Sequence, residues 1–358
     1  MNKLKRFLGV ALSGFLVLGL GACQSSTTGQ TAEAATATEA ATDAGTTGEK
    51  GSQAEVAVRS KAATDTTEEA GAAGTDKESQ VVKIGYLPIT HALPVFEEKE
   101  LLDKEDAGLT IELQKFSSWS DLTDALNAGR IDGASVLIEL AMSAVGQGID
   151  LKAVALGHKS GNVVVASDEI QTAADLKGKT FAIPHTQSSH NILLHDVLTK
   201  GGLTEEDVTV VQLAPSEMPS SLASGAIDAY CVAEPFGAQA VNHKFGHVLF
   251  DSEELWEDSL CCGLVLTEAF IEENPELTNT FVEKYKEAGQ NLDVSEAERI
   301  AEEYLGQAPE VLELSLKWIH FDDLDITQEA YQTLADKVKE YGINENPPAY
   351  EDFVMAIQ

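Results

Sequence analysis

The chain has 358 residues and a formal net charge of −35, with 24 Lys and Arg against 59 Asp and Glu. So acidic a chain, without a cluster of basic residues, argues against nucleic acid and anionic lipid surfaces as partners. Its four cysteines include one adjacent pair and form no disulfide framework.

Residues 1–22 have the pattern of a secretion signal. A basic start is followed by an apolar run, Phe7 to Leu20, which is too short to span a bilayer. The run closes in Leu20-Gly21-Ala22-Cys23, which resembles a bacterial lipobox, a signal whose cleavage leaves the cysteine carrying diacylglycerol and fatty acyl chains such as palmitate. We therefore expect a lipoprotein anchored through Cys23 to the extracytoplasmic face of the cell membrane.

Residues 23–80 have a different composition from the rest of the chain. After Cys23 they are rich in Ala, Thr, Gly, Ser and Glu and contain no aromatic residue, Leu or Ile. Such a segment buries too little apolar surface to offset its chain entropy, so we expect a disordered tether. Its root-mean-square reach would be roughly 40 Å.

From residue 81 onward, strand-like and helix-like patterns alternate, and the alternation occurs twice. Apolar runs predict strands at 81–87, 109–116 and 131–138, and again at 179–185, 208–214 and 227–233. Segments of helical period lie between them, at 92–105, 118–129, 188–202 and 217–225. This order predicts an α/β protein with helices packed on both faces of parallel sheets.

A single offset relates the two copies. Adding 96 to the residue number takes Gly129 to Gly225 and Asp132 to Asp228. Glycine supplies the left-handed cap of a helix, and the aspartate satisfies nearby backbone donors, so both aspartates are interpreted as structural. The copies predict two similar lobes: the first built from 81–167 plus 265–358, including C-terminal helices, and the second from 168–264. Ligands bind at the carboxyl ends of such strands, which places a cleft between the lobes.

Several segments together resemble a known family of binding proteins. They are the lipobox, the tether, "KIGYLPITHALPV", "SSWSDLTDALNAGRIDGA", "DLKGKTFAIPH", "SGAIDAYCVAEPFGAQAV" and "NPELTNTFVEKY". The chain resembles the solute-binding lipoproteins of ABC importers in the nitrate/sulfonate/taurine/bicarbonate group, which includes the NMT1/THI5-like binders of thiamine-pyrimidine precursors. The resemblance implies a two-lobed type II periplasmic-binding-protein fold, each lobe a mostly parallel sheet, closing about a hinge on a small polar solute.

The resemblance also implies partners and alternatives. We expect a monomer without a cofactor that presents its solute to ABC permease and ATPase subunits and is not an enzyme. One alternative is an enzyme on the same fold, similar to menaquinone-pathway enzymes or a pyrimidine synthase. Another is a ligand-sensing lipoprotein. The resemblance leaves two classes of ligand as alternatives: an anion of the nitrate, sulfonate or taurine type, and an amine of the pyrimidine type.

The candidate ligand contacts follow predicted strands. Free N–H groups at a helix start attract polar ligands, an aromatic ring stacks on planar ones, and a cationic pair suits an anion. The candidates are Thr90, His91, Trp119, His158, Lys159, Thr186, Gln187, Ser188, Ser189, Glu234 and Phe236. Glu234 directly follows a strand, where its carboxylate suits an amine. The scarcity of Arg in the folded region weighs against a phosphate or dicarboxylate.

The remaining Cys and His residues suggest no metal site from their spacing. Cys231, Cys261 and Cys262 are interpreted as small apolar core residues. His190 and His195 lie five apart on a predicted helix, do not share a face, and are interpreted as structural.

Overall fold

The computed structural model describes residues 79–105 and 108–355. The secretion signal, the lipidation site at Cys23 and all but the last two residues of the tether lie outside these ranges. Within them, no helix is both long and apolar enough to cross a membrane.

Strands and helices alternate along most of the described chain. The strands are β1 Gln80–Tyr86, β2 Leu109–Lys115, β3 Gly133–Leu137, β4 Leu151–Leu156, β5 Lys159–Ser160, β6 Asn162–Ala166, β7 Thr180–Ile183, β8 Thr209–Gln212, β9 Ala229–Ala233, β10 His247–Asp251, β11 Cys262–Thr267 and β12 Ile319–His320. The helices are α1 Leu93–Glu105, α2 Trp119–Asn127, α3 Ile138–Gly146, α4 Ser189–Lys200, α5 Met218–Ala223, α6 Phe236–Asn242, α7 Glu268–Glu273, α8 Pro275–Asn291, α9 Val294–Leu305, α10 Pro309–Ser315, α11 Gln328–Glu340 and α12 Tyr350–Phe353.

Two five-stranded sheets form the two lobes and share one arrangement. The first sheet has the order β2-β1-β3-β11-β4, and the second, written in the same direction, has β8-β7-β9-β6-β10. In each sheet the first three strands are parallel and the last two pairings are antiparallel. The α/β fold with two lobes is therefore as predicted. Each sheet is mostly parallel, because four of its five strands run in one direction and only β11 or β6 runs against them. These two strands enter their sheets directly from the other lobe.

The chain crosses between the sheets slightly earlier than the sequence suggests. β6 begins at Asn162 and belongs to the second sheet, so the first crossing lies between Leu156 and Asn162 rather than at 167. β11 begins at Cys262 and belongs to the first sheet, so the return is complete before residue 265. A single apolar run does not reveal which of two sheets it joins.

The repeated glycines and aspartates have the structural roles that the offset predicts. Gly129 and Gly225 follow α2 and α5 with φ of 63° and 72°, in the left-handed region that favours glycine. Asp132 accepts the backbone N–H of Lys83 at 2.8 Å, and Asp228 accepts that of Thr180 at 2.8 Å. Each aspartate thus ties two neighbouring parallel strands together, β1 to β3 in the first sheet and β7 to β9 in the second.

The C-terminal helices pack on both lobes, although the sequence places them with the first lobe alone. α8 and α9 pack on α1, and α12 packs on β4, all in the first lobe. α10 packs on α6 of the second lobe. In α11, Lys337 donates to both carboxylate oxygens of Asp196 in α4 of the second lobe, at 3.0 and 2.9 Å.

Candidate functional site

Two histidines and two cysteines meet where the two lobes join. His91 follows β1 in a short 3-10 turn, Thr90–Ala92, and His158 follows β4 at the first crossing. Cys261 and Cys262 lie at the return, at the start of β11. All four are completely buried. We call these four residues the His–Cys cluster.

The ligating atoms of the cluster lie close together. The His91 Nδ1 is 3.5 Å from the Cys262 Sγ and 3.8 Å from the Cys261 Sγ, and the two sulfurs are 3.8 Å apart. One nitrogen or sulfur atom from each of the four residues falls within 4.8 Å of all the others. The rings of His91 and His158 have centroids 3.5 Å apart.

Backbone contacts hold the cluster in this geometry. The His91 Nε2 lies 3.0 Å from the Gly161 carbonyl oxygen, which only accepts, so Nε2 carries the proton of a neutral ring. The lone pair of Nδ1 is then directed to the sulfurs. Gly157 allows this packing, because a Cβ there would lie 2.9 Å from the His91 carbonyl oxygen.

Further polar side chains are buried near the joint. His190 of the second lobe and Glu139 in the first turn of α3 lie near Cys261, whereas the Glu234 carboxyl of the second lobe faces Ala238 and Ser315. Among the described residues, both ring nitrogens of His190, both carboxyl oxygens of Glu139 and the Glu234 Oε1 have no hydrogen-bond partner. Buried polar groups are almost always paired in folded proteins, so this concentration is unusual and suggests a place for a ligand.

Burial favours the neutral forms of the His158 and His190 imidazoles and of the Glu234 carboxyl. Burial, together with the adjacent His91, lowers the pKa of His158 to about 4, and burial lowers the pKa of His190 to about 4. Burial raises the pKa of Glu234 to about 8, although its Oε2 accepts the Ala238 N–H at 3.1 Å.

The thiols of Cys261 and Cys262 differ in how easily they ionise. Burial opposes ionisation of Cys261, but its contacts with Cys262, His158 and His91 and the nearby His190 bring its pKa well below the ordinary value. Burial and the neighbouring Cys261 raise the pKa of Cys262 well above it.

Four of the candidate contacts lie in or beside the cluster: Thr90, His91, His158 and Glu234. The Thr90 backbone N–H and hydroxyl both donate to the Glu234 carbonyl oxygen, at 2.9 and 3.0 Å, and join the lobes directly. The Gln187 Nε2 makes a second link, donating to the Ser143 Oγ of α3 at 3.1 Å.

Two aromatic candidates line cavities between the lobes. Trp119 is 3% exposed and lines a cavity of about 420 Å³ with His185 and Pro215. Phe236 lines another, of about 440 Å³, with Phe116 and Pro215. These cavities lie at the same sheet edges as the cluster.

The remaining candidates from the loop before α4 have mixed positions. Ser188 caps α4, since its Oγ accepts the Asn191 N–H at 3.3 Å and donates to the His185 carbonyl oxygen at 2.6 Å. Ser189 is buried with an unpartnered hydroxyl among the described residues. Thr186 is exposed, and its N–H donates to the Gln212 side chain at 3.1 Å.

Lys159 does not have the position expected of a charge partner for an anion. Its Nζ lies 2.5 Å from the Asp323 carboxylate in an ion pair away from the cluster. His158 and Lys159 are adjacent at the end of a strand, so their side chains point in different directions. His158 enters the cluster, and Lys159 pairs with Asp323.

The sequence missed part of the site. Cys231 is a buried core residue of β9, as expected. Cys261 and Cys262 are likewise buried in the core, as expected, and their sulfurs also contact the His91 imidazole. The spacing of the Cys and His residues in the sequence does not reveal that four potential ligating atoms lie within 4.8 Å of one another. An adjacent cysteine pair at the chain's return between lobes was the available signal.

The chain is similar to several proteins of known role and to one family model. The ligand-binding component of an ABC-type import system from Staphylococcus aureus, solved with zinc bound, is 38% identical with a TM-score of 0.73, over 77% of this chain and 96% of that one. The nitrate/nitrite binding protein NrtA of Nostoc sp. is 29% identical over 246 residues, 61% of this chain. The present chain spans only 55% of that protein's length.

A third protein shows similarity in fold. The periplasmic nitrate-binding protein NrtA from Synechocystis PCC 6803 is 19% identical, with a TM-score of 0.67 over 75% of this chain and 83% of that one.

The family is shown by a separate match. Residues 75–306 match the model of the NMT1-like family. The chain therefore belongs to the NMT1-like family and has the two-lobed fold of the periplasmic binding proteins.

Proposed function

We propose that this protein is the extracytoplasmic, lipid-anchored substrate-binding component of an ABC importer, which captures a small solute between its lobes and does no chemistry on it. The S. aureus relative is named as the ligand-binding component of an ABC-type import system, and the Nostoc relative as a nitrate/nitrite binding protein. The sequence at residues 20–23 supports the anchor on Cys23. The S. aureus relative carries zinc, and the Nostoc protein is named for nitrate, so both a cation and an anion are candidate solutes.

One observation carries the proposal: polar loops from both sheets meet in a buried site at the joint between the lobes. The Thr90–Glu234 and Gln187–Ser143 hydrogen bonds both cross that joint. A solute held there is enclosed by both lobes, and its release requires them to separate, as in hinge closure around a ligand.

The donor atoms favour a cation over a free anion. The cluster and its surroundings supply imidazoles, thiols and carboxyls, while Lys159 is engaged with Asp323. An anion would have to be held by neutral N–H and hydroxyl donors such as those near Ser189.

Titration of the purified protein tests the function. Zinc, nitrate, taurine, ethanesulfonate, bicarbonate and an aminopyrimidine are added separately, and binding is followed by calorimetry and thermal shift. Saturable one-to-one binding of an unchanged compound is expected, together with ligand-dependent stimulation of ATP hydrolysis by the reconstituted importer. Conversion of a compound without a stable complex would show an enzyme instead.

A further inference from the structure

The geometry points to a site for one divalent transition-metal ion, coordinated by His91, His158, Cys261 and Cys262, and this ion is the solute that the lobes capture. The inference rests on the proposed function in so far as it names the captured solute. The metal site itself stands on the four side chains.

The ligand types select the class of metal. Two sulfurs with two imidazole nitrogens form the Cys₂His₂ set typical of zinc. Thiolates and imidazoles suit ions such as zinc and cobalt(II), whereas magnesium and calcium take oxygen ligands. Zinc(II) is therefore the appropriate probe.

The distances match a tetrahedral ion before any ion is added. With metal–sulfur bonds of about 2.3 Å and metal–nitrogen bonds of about 2.0–2.1 Å, the sulfurs of a tetrahedron lie about 3.8 Å apart and nitrogen lies about 3.6 Å from sulfur. The sulfurs of Cys261 and Cys262 are 3.8 Å apart, and the His91 Nδ1 is 3.8 and 3.5 Å from them. Three ligand atoms therefore already form one face of the tetrahedron, and His158 completes the set within 4.8 Å.

Neighbouring groups orient the ligands as in established metal sites. A metal-bound histidine characteristically donates its other ring N–H to a carbonyl or carboxylate, which fixes the ring. The His91 Nε2 has such a partner in the Gly161 carbonyl oxygen at 3.0 Å.

Charge balance favours an ion in this pocket. A divalent ion with two thiolates is neutral overall, whereas an isolated charge in the same buried place would be costly. The cluster is fully buried, and the unpartnered side chains of His190 and Glu139 lie near it.

The second group of potential ligands in the described chain has a different explanation. Glu97, Glu100 and Glu296 also lie within ligating distance of one another. However, the Arg299 guanidinium is 2.6 Å from Glu296 and 2.8 Å from Glu100. Arginine supplies the positive charge there, so those carboxylates need no metal.

The test uses the untagged full chain, stripped with a chelator and kept reduced without oxygen. Zinc(II) is titrated against a chromogenic competitor, and cobalt(II) serves as a spectroscopic probe. One ion per chain is expected, and cobalt should give thiolate charge-transfer bands and the visible spectrum of a tetrahedral site.

Matched variants locate the ion. Cys261→Ser and Cys262→Ser should each weaken zinc binding by more than about 100-fold, since losing even an outer partner of a ligand costs 10–100-fold. Each should also reduce the cobalt charge-transfer intensity. His91→Gln and His158→Gln should weaken binding with the sulfur bands retained. Cys231→Ser, at a buried thiol outside the cluster, and Cys23→Ser should bind like the parent, and thermal unfolding confirms that each variant is folded.

The outcomes separate this inference from the proposed function. If the reduced parent binds neither zinc nor cobalt, or the Cys261→Ser variant binds as the parent does, the metal site is refuted. If nitrate or a sulfonate binds while the metals do not, the capture function stands and the inference falls. If zinc binds at the cluster but does not stimulate the importer, the site stands and the ion is not its cargo.

Discussion

The Thr90 backbone N–H and hydroxyl both donate to the Glu234 carbonyl oxygen, and this pair joins the loop after β1 to the loop after β9. The contact spans 144 residues of sequence and is completely buried. Any separation of the lobes at this point breaks both bonds. The strength of the pair therefore contributes to the balance between open and closed forms.

Replacing the threonine hydroxyl tests that contribution. Thr90→Val keeps the shape and the backbone donor but removes one of the two bonds, so we expect the free energy of unfolding to fall by about 1 kcal/mol. The ligand-free protein should also become more open, measured as an increased radius of gyration in small-angle scattering.

Thr278→Val is the control for that experiment. Thr278 is equally buried, but its hydroxyl donates to the Asn274 carbonyl oxygen within its own helix, at 2.9 Å. The Thr278→Val variant should leave the radius of gyration unchanged. If the two variants behave alike, the Thr90–Glu234 pair does not restrain the lobes.

Glu234 should make stability depend on pH. Burial raises its pKa from 4.5 to about 8 in the folded protein, so the folded state keeps a proton that the unfolded chain releases. Its stabilising contribution is complete below pH 4.5 and is lost as the pH rises towards 8. Glu234→Gln, which stays neutral, should remove this decline, which is at most about 1.4 kcal/mol per pH unit.

Urea unfolding of both proteins at pH 5, 6, 7 and 8 measures this effect. The stability of the variant relative to the parent should rise steadily across the series. Parallel profiles would mean that Glu234 is ionised in the folded protein throughout.

Lys159 should have little influence on ligand binding. Its Nζ pairs with Asp323, and both side chains are partly exposed, at 27% and 53%. Because pairs of this kind contribute about 0–1 kcal/mol, Lys159→Ala should change unfolding free energy by no more than that and leave zinc affinity unaltered.

Asp323→Asn removes the same pair from the other side and should have the same effect in both measurements. A marked loss of zinc affinity in Lys159→Ala alone would show that the lysine acts at the site.

The link between α11 and α4 should matter more for stability. Asp196 accepts from Lys337 and from the Tyr341 hydroxyl at 2.6 Å, and its side chain is only 12% exposed. Asp196→Asn leaves a half-buried ammonium without its charge partner, so we expect a loss of about 2 kcal/mol in denaturant unfolding.

The exposed pair Lys317–Glu313 is the comparison for Asp196. Its side chains are 59% and 73% exposed, and Glu313→Gln should cost less than about 0.5 kcal/mol. Similar losses in the two variants would place α11 outside the cooperative unit that unfolds.

The repeated pattern made the fold predictable, and local chemistry explains why. Gly129 and Gly225 end helices, and Asp132 and Asp228 hold neighbouring strands together. Both roles depend on the residues next to them in the chain, so the local sequence pattern reveals them. The pairing of β6 and β11 depends on the opposite lobe, and an apolar strand fits either sheet equally well. The crossings were therefore the least predictable part of the architecture.

The site was predictable only in part, for a related reason. His91 and His158 follow strands and were expected near the ligand from position alone. Their contact with Cys261 and Cys262 unites three segments separated by about 70 and 100 residues, and no spacing rule for zinc covers such distances. Lys159 shows the converse error, because the residue that engages it, Asp323, belongs to a distant part of the chain.

The order β3-β11-β4 has a consequence for synthesis. A chain emerging from its amino end has β3 and β4 available long before β11, the strand that lies between them. Every strand of the second sheet comes from the continuous stretch 162–251, so that sheet can be complete first. Until residue 267 has emerged, β3 and β4 each carry an unpaired edge, and such edges promote aggregation. The lobe that begins first in the chain is the one that is finished last.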